Sequence, residues 1–262
     1  MDADSGGAST LADRARRVTD PPVSLWRDLR RYTTARVALG RAGNGMPTAA
    51  HLDFQAAHAA ARDAVHTALD VALLASDLRE AGFCSIVVRS AAADRQIYLR
   101  RPDFGRRLHQ DDRVRLPYGR SPLAIVICDG LSPLAVQRHA VPLLRALRKY
   151  LPNTEAAVIV QQGRVAIGDD IGTALGADAV AVLIGERPGL SAADSMGVYL
   201  TWSPRIGRSD SERNCISNIR AEGLPPEMAA AKLAWLITRM RALRLTGIGL
   251  KDDPHKALSS PD

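Results

Sequence analysis

The chain has 262 residues, 46% of them hydrophobic, enough for one substantial core with a smaller appended unit or for two modest domains. Its three cysteines, Cys84, Cys128 and Cys215, are odd in number and lack C-x-x-C spacing, which argues against a disulfide framework or structural zinc and for a reducing compartment. The formal charge of +7 invites a nucleic-acid reading, but only four of the 35 basic residues are lysines, the arginines are dispersed in pairs, and 4% aromatics cannot supply a base-stacking platform.

The N-terminus, MDADSGGASTLADRARR, is acidic and small before it turns basic, unlike a secretory signal. No apolar run reaches the roughly 18 residues of a membrane span, so a cytoplasmic protein is expected. Residues 1–19 have too few large apolar side chains to bury and read as a flexible tail. Order is expected from Asp20, where Pro21 and Pro22 follow a capping residue and Leu25, Trp26, Leu29, Tyr32 and Arg36 recur at helical spacing up to Gly40.

GRAGNGMP reads as a turn between helices, since a phosphate-cradling loop would have to follow a strand. Thr48 then caps a second, long helix whose apolar face runs through Phe54, Ala57, Ala61, Val65, Ala68, Ala72 and Ala75 toward Gly82. His51, His58 and His66 share one face of it, but at about 10 to 12 Å spacing they are too far apart for one metal.

From residue 83 the texture changes to short β-branched runs: CSIVVRS, PLAIVICDG, AAVIVQQG, AVAVLIGERPG and GVYLTWSP. Such near-continuous apolar strands belong to a sheet covered on both faces. A crossover helix with a kink expected at Pro142 separates the second and third, and Ile171 to Gly176 can make a short helix before the fourth. A last helix over residues 225–244 carries Met228, Ala231, Leu233, Trp235, Leu236 and Met240 as its buried stripe. The expected fold is α/β: a Rossmann-like, largely parallel doubly wound sheet with an N-terminal helical extension. The corresponding domains are a tail at 1–19, a helical region at 20–82, an α/β domain at 83–252 and a tail at 253–262.

Conventional catalytic kits such as G-x-x-x-x-G-K-[ST], H-E-x-x-H and G-x-S-x-G are absent from the sequence. Instead, small and polar residues gather at the expected carboxyl ends of strands, where open α/β sheets bind ligands. They are Gly163, Arg164, Val165, Gly168, Asp169 and Asp170; then Gly185, Glu186, Arg187, Pro188 and Gly189; then the run Asp210 to Asn218. Three loops are thus expected to converge on one edge, with glycines that admit a large ligand. The plainer alternative is that Arg187 pairs with Asp169 or Asp170 and the glycines only make turns. Asp169 and Asp170 have no evident apolar pocket that would make them an acid/base pair, and Cys215 has no adjacent histidine to activate it.

The strings GRVAIGDDIG, LIGERPGLSAADSMGVYLTWSP and RNCISNIR, with LRRYTTARVALGRAGNGMP, HAAARDAV, YLRRPDFGRRL and VICDGLSPLAV, resemble the small (light) subunit of ethanolamine ammonia-lyase from about Leu25 to Lys251. The resemblance implies an adenosylcobalamin-dependent lyase that turns ethanolamine into acetaldehyde and ammonia by a radical route. It implies a hetero-oligomer in which a large (heavy) TIM-barrel subunit binds ethanolamine while the small subunit covers part of the corrin. It implies cobalamin contacts at Val165, Glu186 and Cys215, with no catalytic residue, protein metal ligand, nucleic acid or membrane partner for this chain. The D-x-H-x-x-G string of other cobalamin modules has only Asp253, Pro254, His255, Lys256, Ala257, Leu258 as a counterpart, so cobalt is expected to keep its own benzimidazole. In that family an N-terminal segment can address the enzyme to a bacterial microcompartment; TLADRARRV is only a short, weakly amphipathic string. The competing expectation from the residues alone is a stand-alone module for a nucleotide-like ligand in the same crevice.

Overall fold

A computed structural model of the chain describes residues 28–119 and 121–251. The expected tails at 1–19 and 253–262, and the start at Asp20 to Trp26, lie outside the described residues. The chain divides into two compact units, Met1–Ala56 and Ala57–Asp262, and the division falls inside the first helix named below.

In the first unit the helix expected to run up to Gly40 does not extend past residue 29, and no helix covers residues 30–40. Leu29 and Tyr32 are exposed, so packing does not hold residues 30–40 in a helix. The Arg30 guanidinium instead bonds the carbonyls of Val37 and Ala38. The GRAGNG segment is a tight turn closed by reciprocal backbone bonds between Ala42 and Gly45.

Helix α1 spans Thr48–His66, and His51, His58 and His66 are exposed on it. The single helix expected to reach Gly82 is broken, because Asp70 starts a new one: its side chain accepts from the Leu73 N–H at 2.9 Å and caps α2, Val71–Glu80.

Beyond Gly82 come β1 (Cys84–Arg89), α3 (Arg95–Arg100), α4 (Gln110–Arg113), β2 (Ala124–Cys128), α5 (Pro133–Leu147), β3 (Ala156–Gln161) and α6 (Ile167–Leu175). They are followed by β4 (Ala179–Gly185), β5 (Met196–Trp202), β6 (Asn214–Ile219) and α7 (Pro226–Leu243). The six strands form one sheet in the order β1-β3-β2-β4-β5-β6. β1 to β4 are mutually parallel, and β5 is antiparallel to both β4 and β6, so five of the six strands point one way. This is the expected α/β class with a largely parallel sheet.

Two apolar layers flank the sheet. Ile125, Ile127, Ile159 and Leu183 face α2, α5 and α7, while Val126, Val158, Val160 and Val182 face α6. β2 and β4 are buried along their whole length, which is why they read as unbroken apolar runs. α5 runs through Pro142 as one helix. α6 begins four residues earlier than Ile171 and packs closely on the sheet: a Cβ at Gly168 would lie 2.3 Å from Val182 Cγ2. The buried stripe of α7 is Ala229, Ala230, Leu233, Ala234, Leu236, Ile237 and Met240, so Leu233, Leu236 and Met240 are buried as expected, while Met228 is exposed and Ala231 and Trp235 are half-buried.

Candidate functional site

At the carboxyl edge of β2 and β3, Asp129 is buried and accepts hydrogen bonds from the Gly130, Gln162 and Gly163 N–H groups at 2.9 to 3.0 Å. One carboxylate therefore ties the β2–α5 turn to the loop that carries Arg164 and Val165. Tyr98 adds a bond from its hydroxyl to the Gly163 carbonyl at 3.2 Å, and Arg95 Nη1 lies 3.7 Å from Asp129 Oδ2. Burial pushes the Asp129 carboxyl up to about 6, against the backbone donors and the Arg95 charge, which favour the ionised form.

A carboxyl raised in this way holds a proton in the folded chain that the unfolded chain has already lost. Its contribution is therefore largest at low pH and declines as pH rises from the reference value of 3.8 to about 6. Relative to Asp129→Asn, the native protein is expected to lose roughly 2–3 kcal/mol of stability between about pH 4 and about pH 7. Urea unfolding of both proteins at the two pH values measures this, and a constant difference contradicts it.

The expectation that three loops converge on one edge is corrected by β5. Because this strand is antiparallel, the segment after Trp202 leaves from the opposite edge of the sheet. The polar run Asp210 to Asn218 is not a loop: Asp210–Glu212 makes a 3-10 turn and Asn214–Ile219 is strand β6. β6 runs back to the carboxyl edge, and its Asn218 N–H donates to Glu186 Oε2 at 3.2 Å. Ser195 Oγ donates to the same oxygen. Oε1 receives no hydrogen bond among the described residues. A Cβ at Gly197 would fall 2.9 Å from it, so the glycine keeps that oxygen clear.

Cys215 pairs in register with Tyr199 and is exposed, with Tyr199 half-buried beside it. Burial raises the Cys215 thiol pKa, the Tyr199 hydrogen bond lowers it and the Glu186 charge raises it. The thiol thus stays protonated near neutral pH and is a poor nucleophile. Glu186 and Cys215 share one electrostatic environment on the β5–β6 side. Val165 lies on the loop from β3 to α6 and packs on the same sheet face as Tyr199, where it also lines a cleft of about 910 Å³ with Arg164 and Ile206.

The acids are committed elsewhere. Asp169 is bound by Arg213 at 2.6 and 2.8 Å, and Asp170 by Arg113 and by the Leu108 N–H at 3.0 Å, so neither pairs with Arg187. Both are buried, and each is compensated by an arginine. Two of the glycines serve the fold: Gly168 seats α6, and Gly185 meets the β2–α5 turn backbone. Sequence reasoning missed Asp129, Ser195 and Tyr199. Only the D-G dipeptide after β2 hinted at the first, and only strand register could reveal the other two. Among the described residues no cluster of three His, Cys, Asp or Glu could hold a metal, and no helix is long and apolar enough to cross a membrane.

The fold and site define an α/β chain with a largely parallel sheet whose β5–β6 face is edged by the Glu186 carboxylate. The family profile described as Ethanolamine ammonia-lyase light chain (EutC) matches residues 23–251. The chain is 51% identical over 257 residues to the ethanolamine ammonia-lyase small subunit of Azotobacter vinelandii, covering 94% of each chain. It is 50% identical to that of Pseudomonas syringae pv. tomato, over 92% of this chain and 88% of the relative, and 50% identical to one from Xanthomonas campestris pv. campestris, over 93% of each. The chain belongs to the ethanolamine ammonia-lyase light chain family. It is therefore the small subunit of a lyase, and a large subunit is its partner.

Proposed function

We propose that this small subunit covers part of adenosylcobalamin against a catalytic TIM-barrel large subunit, with Val165, Glu186 and Cys215 as its contacts. The observation that carries the reading is an open sheet face. Cys215 and Ser217 are exposed on β6, whereas Val198, Leu200 and Ile216 on the reverse face are buried. α6 packs on β2 and β4 of the open side, leaving the β5–β6 part for a ligand.

The residues suit a corrin, a broad ring edged with amide side chains. Glu186 has one oxygen fixed by Ser195 and Asn218 and the other free to accept an amide N–H. The neutral Cys215 thiol, the Tyr199 ring and Val165 offer apolar contact that excludes water. Once bound, adenosylcobalamin supplies radical chemistry by homolysis of its cobalt–carbon bond, through which ethanolamine becomes acetaldehyde and ammonia. This chain's groups position and enclose, and the bond-making groups belong to the large subunit. Val165, Glu186 and Cys215 would hold the group without a protein histidine on the metal; superhyperfine splitting from a protein histidine nitrogen in the EPR spectrum of the complex would overturn that.

Coexpression with the large subunit tests the reading. A stable complex is expected, active only when both chains and adenosylcobalamin are present. Glu186→Ala is expected to weaken cofactor affinity about tenfold or more, the loss of one hydrogen bond to a charged group. Full activity from the large chain alone contradicts the reading, and tight corrin binding by the small chain alone would favour a stand-alone module.

A further inference from the structure

We propose that the arginine-lined cleft beside Val165 binds a phosphodiester, the anionic group on the nucleotide arm of cobalamin. The inference rests on the cobalamin reading above and assigns a second part of that ligand to residues outside the sheet face. It begins from the charges that line the cleft of about 910 Å³. Three of the four carboxylates there have a cation of their own: Asp169 has Arg213, Asp170 has Arg113 and Asp103 has Arg101 at 2.8 Å, while the exposed Asp210 lies 3.5 Å from the Nε of the Arg213 that Asp169 already holds. Of the arginines, Arg113 is held by Asp170 and Arg208 by Glu212.

Three cations remain. Arg106 and Arg107 are exposed at the cleft wall and have no side-chain hydrogen bond or ion pair among the described residues. The Arg164 guanidinium lies 4.2 Å from the Tyr98 ring centroid and makes one hydrogen bond, from Nη2 to the Tyr98 carbonyl at 3.3 Å. Its Nε is buried without an acceptor. A stacked guanidinium is already ordered, so little freedom is lost when it meets an anion. A positively charged concave surface also concentrates anions, because its low-dielectric walls focus the field.

The ligand class follows from these groups. Arginine forks match the paired oxygens of a phosphate diester, and Val165 and Ile206 supply apolar walls for the organic groups that flank such a diester. Val165 is shared between the cleft and the proposed corrin contacts, so one ligand with a ring and a phosphodiester arm can engage both.

The test compares two corrins on the complex of large and small subunits. Hydroxocobalamin carries the nucleotide arm, and dicyanocobinamide lacks it together with the phosphodiester. Dissociation constants are read from the corrin absorption bands. The double variant Arg106→Ala/Arg107→Ala is expected to weaken hydroxocobalamin roughly 10- to 100-fold, the loss of one or two charge-assisted contacts, and to leave dicyanocobinamide within about twofold.

Equal weakening of both corrins, or of neither, overturns the proposal while leaving the corrin reading intact. Weaker subunit association by sedimentation, with the ratio of the two corrins unchanged, overturns it in favour of an acidic segment of the large subunit. Inorganic phosphate that binds the wild-type complex equally well with and without hydroxocobalamin overturns it in favour of a free-phosphate site. Failure of both corrins to bind the wild-type complex removes the cobalamin reading itself.

Discussion

Arg213→Met is expected to destabilise the protein by about 3–5 kcal/mol, because it leaves a buried carboxylate without its counter-ion. The side chains of Arg213 and Asp169 are 0% and 1% exposed, so water cannot replace the lost partner. The guanidinium binds both Asp169 oxygens, at 2.8 and 2.6 Å, and also Thr201 Oγ1 at 2.9 Å and the Arg208 carbonyl at 3.0 Å. Its Nε, 3.5 Å from Asp210 Oδ1, has no hydrogen-bond geometry, so the Asp169 fork dominates. The pair fastens α6 to β5 and to the start of β6, the strand that presents Cys215.

The attribution to an orphaned charge has its own check. Adding Asp169→Leu to Arg213→Met removes both charges at once, and an apolar pair of similar volume is often neutral relative to a buried ion pair. The double variant is therefore expected to recover most of the loss in urea unfolding. A single variant within about 1 kcal/mol of wild type, the size of an ordinary exposed pair, would show that the charge is relieved elsewhere.

Gly185→Ala is the second large effect, expected at about 3 kcal/mol, the upper range of overpacking. A Cβ there would stand 2.0 Å from the Ser132 carbonyl oxygen and 2.7 Å from that of Asp129. Both are backbone atoms, so no side-chain rotation relieves the clash. Across the same contact, Gly130 has φ of 58° and its own Cβ would lie 2.2 Å from the Gly185 carbonyl oxygen, so the β2–α5 turn is equally confined. Either the end of β4 moves and carries Glu186 with it, or the turn moves and pulls Ser132 from its capping bond to the Ala135 N–H at 3.3 Å.

A lower melting temperature should therefore accompany weaker corrin binding by the complex. Gly189→Ala is the control, since the nearest atom to its Cβ would be 3.9 Å away; a change within about 0.5 kcal/mol is expected for such an open site. Equal effects at both glycines would mean that backbone flexibility, rather than close approach, sets the result.

The sequence alone determined the class of the fold, because strands buried on both faces must be apolar at successive positions, and AIVIC and AVAVLIG are. It also determined the family, through strings that resemble it over nearly the whole chain, and from that resemblance come the proposed contacts Val165, Glu186 and Cys215. Two breaks differ from the expectation although the chain carries a local signal for each. Asp70 caps a helix inside a continuous helical pattern, and RNCISNIR is polar for a strand because β6 is an edge strand with one face uncovered.

Only the tertiary structure decided the direction of β5 and therefore which residues meet. Strand direction depends on pairing between residues far apart in the chain, and a one-residue change of register between β5 and β6 would put Cys215 and Tyr199 on opposite faces. The same holds for the buried charges. Asp169 and Arg213, 44 residues apart, have nothing in their local sequence that couples them. Burial selects each as the other's partner, because an ion in an apolar interior must find its counter-ion there.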